Sequence, residues 1–354
     1  MGVLIVAAGI VALAPAAAQA ATRTVDMGTP VSAQKSFRAV GADVNDFFPH
    51  VTRIHVGDKV KFAPVGFHTV NFPAKGQDPD ALVAPTGTTI AGVNDAGGAP
   101  FWFNGQPQLA FNPVLGPPGL YGKTVAYNGR KSVQSGLPLG ENLDPVTVRF
   151  KRAGSFKYYC TVHPGMRGKV VVSRRSRHVP GARQHAKAIK RQVKRDLKVA
   201  KRLPQTKVPT GTVDVGVAGP HGVEHLGMLA QEKTVPVGTR LTFRMTPGSF
   251  DDHTATFGPG NPESEPSSYL GILAAGFNAP VFDQRAVYPS ESPAGAGATL
   301  TPTLHGNGFW NTGVMDHSIR TPLPESAAVT FGAPGTYTYY CLIHPFMRGT
   351  ITVQ

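Results

Sequence analysis

The chain contains two cysteines, and each opens the same short run: Cys160-Thr161-Val162-His163-Pro164-Gly165-Met166 and Cys341-Leu342-Ile343-His344-Pro345-Phe346-Met347. Each run follows a Tyr-Tyr pair and leads through Arg-Gly into a β-rich tail, 169–172 and 350–353. A thiolate, an imidazole and a thioether at this spacing are soft donors, a set that suits copper. A trigonal site of two histidines and one cysteine with a weak axial methionine needs a second histidine from another strand. His68, in Phe67-His68-Thr69-Val70, and His253, in Asp252-His253-Thr254-Ala255, supply it at matching separations of 92 and 88 positions ahead of the cysteines. The expectation is two mononuclear copper sites, two coppers per chain, each on its own copy of one domain. The donors are His68, Cys160, His163 and Met166 in the first, and His253, Cys341, His344 and Met347 in the second.

Two other fates of the cysteines weigh less. Paired cysteines in an exported chain often form one disulfide. Here, however, both occupy equivalent repeat positions, and a bridge would have to join equivalent buried points of two domains. Zinc would favour a further thiolate, imidazole or carboxylate over a thioether.

The two runs resemble the ligand loop of the cupredoxins, the plastocyanin and azurin superfamily, and their short spacing and His-Pro-Phe-Met-Arg-Gly are most similar to amicyanin. The segments Val56-Gly57-Asp58-Lys59-Val60-Lys61-Phe62 and Val237-Gly238-Thr239-Arg240-Leu241-Thr242-Phe243 resemble the strand that precedes the first ligand histidine in that family. The resemblance covers both ends of each copy and leaves the long middle segments, about 73–127 and 258–305, without a counterpart. It implies two tandem cupredoxin-type Greek-key β-sandwiches, all-β, joined by a basic helical linker. It also implies that the His163 and His344 edges lie on exposed loops as electron ports, ringed by Pro164, Gly165, Pro345 and Phe346. Tyr159 and Tyr340, alternating with the cysteines, should point to the opposite face.

The elements that must position these donors follow from the rest of the chain. At on the order of 100 residues per sandwich, 354 residues hold two enlarged copies, and 41 Gly and 32 Pro between short β-branched runs favour strands over helices. The repeat extends to Ala110-Phe111-Asn112-Pro113-Val114 against Gly276-Phe277-Asn278-Ala279-Pro280-Val281, and to Tyr127-Asn128-Gly129 against Gly306-Asn307-Gly308. The aromatic groups Phe101-Trp102-Phe103 and Phe309-Trp310 could cover a metal edge, or plug the open end of a sandwich.

Residues 174–207 carry 13 Lys/Arg against the single acid Asp196, a net +12 of the chain's +14, so the flanking domains are close to neutral. From Ala182 to Leu203 there is no Gly or Pro, and Ile189, Val193, Leu197 and Ala200 recur at helical spacing. A helix of that length spans ~33 Å at ~1.5 Å per residue. It is expected either as a spacer laying its apolar stripe on one domain, or as a strip for an anionic surface or acidic partner. Nucleic acid is not expected, because no aromatics interleave the basic residues. Residues 1–20 form an apolar, alanine-rich segment ending Ala18-Gln19-Ala20, read as a signal peptide without the usual basic start, or else an anchor. The expected organisation is therefore 1–20 signal, 22–173 first domain, 174–207 linker and 208–354 second domain, with the folded part outside the cytoplasm.

These readings point to an exported electron carrier, with transient redox proteins as partners, rather than an enzyme. Copper storage or delivery is the first alternative, although Met 7 in the whole chain is few for an open transfer site. An oxidoreductase related to multicopper oxidases or copper nitrite reductases is the second, and it is disfavoured because the chain has no His-x-His. The clustered pair His221 and His225 is a weak candidate for shared ligation. His50 and His55 read as surface residues.

Overall fold

Apolar and polar residues alternate along the longer strands, giving each one dry face and one wet face. In Arg167–Ser173 the buried positions are Gly168, Val170 and Val172. In Arg348–Val353 they are Gly349, Ile351 and Val353. The computed structural model describes residues 20–117, 119–317 and 323–354; the expected signal segment, apart from Ala20, lies outside them. No helix among the described residues is long and apolar enough to cross a membrane.

The fold is all-β: two sandwiches of two sheets each, and a separate two-stranded pairing of Val83–Thr89 with Pro107–Phe111. In the first, one sheet runs Phe47–Phe48, Thr22–Met27, Lys59–Pro64, Val146–Phe150, Thr124–Tyr127. Its partner sheet runs Val133–Gln134, Asn71–Phe72, Gly154–Tyr159, Arg167–Ser173, Val51–His55. The second sandwich repeats this order. One sheet holds Thr212–Ala218, Arg240–Arg244, Ser326–Phe331 and Ala298–Leu300 in sequence across it; the other holds Trp310–Asn311, Thr256–Phe257, Gly335–Tyr340, Arg348–Val353 and Glu232–Val235. The cores match as well. Phe62 meets Phe72 at 5.6 Å and Tyr158 at 5.0 Å, edge to face; Phe243 meets Phe257 at 5.6 Å and Tyr339 at 5.1 Å. Such edge-on aromatic contacts add to what burial alone contributes.

Three features tie the sandwiches together. Ala42–Val44, early in the chain, pairs antiparallel with Val223–Leu229 and so becomes the edge strand of the second sandwich. The long middle segments build a shared apolar cluster, in which Phe101, Phe103 and Leu109 pack with Leu270, Leu273, Phe309 and Tyr340. Phe101 and Phe103 thus fill the seam between the sandwiches rather than covering a metal edge, while Trp310 belongs to the second core. The third tie is the helix Ala182–Ala200. Its Ile189, Val193 and Leu197 pack on a cluster containing Phe37, Val44 and Phe48 together with Val217 and Val223.

The helix therefore rests on both halves, not on one. Its apolar stripe faces a groove that Ala42–Val44 has already closed. Buried Gln192 fixes the contact: its amide donates to Asp46 Oδ2 (2.9 Å) and to the carbonyl of Phe47 (3.0 Å), and its oxygen accepts from the His50 amide (3.0 Å). Lys187, Lys190, Arg191 and Lys194 remain exposed on the outer face.

Candidate metal centres

Each cysteine sits at the end of a core strand, just where the strand gives way to a tight loop. In the first loop the amide of Cys160 donates to the carbonyl of Met166 (3.0 Å), and that of Met166 to His163 (3.0 Å). In the second, Cys341 donates to Met347 (2.9 Å) and Met347 to His344 (2.8 Å). Both loops are thereby closed on themselves, with Met166 and Met347 buried at their far ends.

The upstream histidines arrive from the neighbouring segment. His68 Nδ1 lies 3.9 Å from Cys160 Sγ and His163 Nδ1 3.6 Å from it. In the second cluster His253 Nδ1 and His344 Nδ1 are 3.9 and 3.7 Å from Cys341 Sγ. The threonine after each upstream histidine locks the arrangement. The amides of Thr69 and Thr254 each point at the sulfur from 3.4 Å. Their hydroxyls accept from the amides of Thr161 (2.7 Å) and Leu342 (2.8 Å). Both cysteines are free and buried, each within its own cluster.

Electrostatics favour the ligating forms. Burial opposes ionisation of Cys341, but the hydrogen bonds and charges of His253 and His344 outweigh it and bring the thiol down to about 5. The same opposition, resolved by His163 and His68, holds Cys160 well below the ordinary thiol value. A thiolate is the form that binds metal. One sulfur and two imidazole nitrogens converging in a buried pocket, with a methionine closing the loop, fit copper by donor chemistry.

Room for the upstream imidazoles comes from two glycines in positive-φ conformations, Gly28 (φ +101°) and Gly216 (φ +74°). A Cβ on either would run into the ring of His68 or His253. A signal for this pair stands in the chain, Thr24-Val25-Asp26-Met27-Gly28 against Thr212-Val213-Asp214-Val215-Gly216, and the motif reading passed over it.

The two clusters face each other across one carboxylate. Asp251 Oδ1 lies 3.6 Å from His163 Nε2 and 3.8 Å from His344 Nε2, ion-pair distances rather than hydrogen bonds. Burial works against a charge on Asp251, yet the charge of His344 and the contact and charge of His163 prevail and hold it well below the usual carboxylate range. The adjacent Asp252 goes the other way: burial, then Asp316 and Asp251, push its carboxyl well up. Negative charge is thus concentrated on Asp251. For His344, burial lowers basicity, but Asp251 and Cys341 raise it to about 9.

Buried Glu224 fixes the turn that carries Asp251. Its carboxylate accepts from the Ser249 hydroxyl (2.6 Å) and from the amides of Phe250 (2.6 Å) and Asp251 (3.2 Å). Glu224, Asp251 and His253 form a third convergent group. There the Glu224 oxygens are already occupied by protein donors, which makes it a support rather than a site. Neither Asp251 nor Glu224 carries a motif, so sequence reasoning missed both.

His163 departs from expectation. It is only 7% exposed, although Pro164 and Gly165 beside it are exposed and Phe250 from the second sandwich abuts Gly165; the expected solvent edge is thus much reduced. Phe346, at the matching position, is 53% exposed and its ring lies 5.9 Å from that of His344. Tyr159 lines a cavity of about 780 Å³ between the loops, while Tyr340 packs in the seam. His221 and His225 belong to none of the clusters. His225 contacts the Val40 carbonyl instead, at 3.3 Å.

No known family's sequence model matches the chain, and no curated protein does. Among solved structures it is similar to amicyanin from Paracoccus versutus (20% identity over 42% of this chain and 86% of that one, TM-score 0.22). It is similar also to a reduced Cu(I) form of an amicyanin mutant at pH 4 (18%, 43% and 89%, TM-score 0.22). A third is a purple cupredoxin from Nitrosopumilus maritimus (15%, 41% and 99%, TM-score 0.21). At these levels the chemistry has to be read from the chain's own residues.

Proposed function

We propose that this chain is an exported blue (type 1) copper protein of cupredoxin type, built from two tandem copies of one domain and carrying single electrons. One observation carries the reading: the same set of contacts surrounds Cys160 and Cys341, down to the threonine amide 3.4 Å from each sulfur. The repeated strand order supports the tandem copies; we assign them boundaries at 22–173, 174–207 and 208–354, with Ala42–Val44 crossing to the second copy. His68, Cys160, His163 and Met166 would hold one copper, and His253, Cys341, His344 and Met347 the other. Copper bound to such a set supplies a reversible one-electron couple.

The protein's own part is to fix the donors in advance. The closed loops hold cysteine, histidine and methionine together, and the threonine amides stabilise negative charge on sulfur. The cysteines and the upstream histidines are buried and held by these contacts, so little rearrangement accompanies a change of charge. Redox proteins are the partners in this reading, meeting the chain transiently at the exposed Phe346 face. The exposed basic face of the helix Ala182–Ala200 suits an anionic surface or an acidic partner. Neutralising Lys187, Lys190, Arg191 and Lys194 together is then expected to weaken retention on anionic vesicles without bleaching colour.

The deciding experiment is copper content with the visible spectrum of the Cu(II)-loaded chain. The expected result is two coppers and an intense thiolate band that reductant bleaches. A colourless chain without bound copper would overturn the reading.

A further inference from the structure

The two donor clusters have no need to meet in order to work as separate carriers, yet their outward imidazole nitrogens converge on one oxygen. Both Nδ1 atoms face sulfur, which leaves only Nε2 of His163 and of His344 to face outward. Both of these reach Asp251 Oδ1, whose side chain is 13% exposed. A carboxylate so little exposed is costly unless it is paired. This one is paired twice, once to each cluster. Its turn is not free to swing away, since Glu224 holds the amides of Phe250 and Asp251 and the hydroxyl of Ser249. Glu224 also accepts from Asn45 of the first sandwich (3.5 Å), so the clamp spans both halves.

We propose that Asp251 joins the two clusters into one electron-exchange unit by linking the outward nitrogens of His163 and His344. The proposal rests on the copper reading above. Its step is one-electron exchange: the reduced site loses one electron, the oxidised site gains it, no bond forms or breaks and no proton leaves. Asp251 contributes in two ways. Its Oδ1 stands between the imidazole edges as a shared stepping atom, so the path runs in two short steps of 3.6 and 3.8 Å. It also shares one negative charge between two sites, so a change of charge at one alters the electron affinity of the other, and the effect is reciprocal. Exposure gives the unit a direction. His344 lies beside solvent-facing Phe346 and serves as the outer terminal; His163, 7% exposed, is the inner one.

The test uses the full two-copper chain and its variants Asp251→Ala and Asp251→Asn, the second keeping the side chain's size as a control on folding. Copper count and thiolate band are recorded first. A flash-generated reductant then delivers less than one electron per chain. The wild type is expected to show a redistribution phase whose rate is independent of protein concentration. Asp251→Ala should slow that phase about tenfold and shift the spacing of the two potentials by about 59 mV for a tenfold change in coupling, with both bands intact. Asp251→Asn should change the spacing and slow the phase less. In the metal-free protein, Asp251→Asn should shift the imidazole ¹⁵N resonances of His163 and His344 together.

Two coppers with exchange and potentials unaltered in both variants would overturn the proposal alone. So would a wild-type phase that scales with protein concentration, because electrons would then be passing between molecules. A chain that binds no copper overturns the copper reading and this proposal together.

Discussion

The loops Cys160–Met166 and Cys341–Met347 carry the same donors and close with the same hydrogen bonds, yet His163 of the first is 7% exposed whereas His344 of the second stands beside a solvent-facing phenylalanine. The residue before the methionine differs as well. Gly165 leaves space that Phe250 of the other sandwich occupies, whereas Phe346 projects toward solvent. Donor chemistry is set by the loop; access is set by what packs on it. Duplicating a site therefore does not duplicate its role.

The strongest way to break the asymmetry is to make the first loop like the second. Gly165 has φ +111°, and a Cβ there would enter the Phe250 ring. Gly165→Phe is expected to cost ~1–3 kcal/mol in overpacking, with backbone strain adding a further ~1–3 kcal/mol. Denaturant unfolding checks the loss. The Cys341 thiolate band should survive in the folded fraction, and loss of both bands together would mean that the loops are not independent.

Removing one site at a time sharpens the contrast. Cys160→Ser should leave one copper that an external reductant still reaches quickly through His344. Cys341→Ser should leave one copper reduced roughly tenfold more slowly, equivalent to about 1.4 kcal/mol in the barrier, because only 7% of His163 is exposed. Equal rates in the two variants would return both loops to equivalent ports.

The seam supplies a milder lever. His305 touches Asp95 of the first sandwich at 3.0 Å and Glu291 at 2.9 Å. Burial lowers its basicity, but Glu291 and Asp95 more than compensate and raise its pKa above the ordinary 6.5. A group raised on folding stabilises fully below its unfolded value and loses that contribution as pH climbs through the folded one. Stability should therefore fall as pH rises above 6.5 through the raised folded value, and His305→Gln should flatten that slope in thermal unfolding followed against pH. The smallest effect belongs to Phe346→Ala. Removing a half-exposed ring should change stability by no more than about 0.5 kcal/mol, while slowing exchange with a protein redox partner.

The donor clusters were legible because soft-metal chemistry demands particular residue types at fixed spacings, and these survive in a linear string. The strand around Val56–Phe62 was legible from its resemblance to a known strand, and Lys169–Val172 from its run of β-branched residues. What alternation does not encode is the identity of the surface that a dry face meets. Phe101 and Phe103 read as apolar plugs, but nothing local says that Leu270 and Phe309 will cover them. The helix Ala182–Ala200 shows its stripe without showing that two sandwiches share it. Asp251 reads as one of two aspartates before a histidine, and its partners arrive from 163 and 344. Gly28 and Gly216 were within reach, since their Val-Asp-x-Gly contexts match, but only a side-by-side alignment of the two strands draws attention to them.

The edge strand Ala42–Val44 has a consequence for how the chain comes to be folded. It is made early, but its partner Val223–Leu229 emerges only after the whole first sandwich and the linker. Until then three residues of sheet edge wait unpaired while neighbouring strands close around them. Once paired, they cap an edge of the second sandwich that would otherwise be open to pairing with another chain. A gene fragment encoding the second half alone would lack that cap and expose Val223–Leu229. Cutting at the linker would therefore yield an aggregation-prone piece rather than two independent modules. Ala42–Val44 is thus carried by one half and completes the sheet of the other.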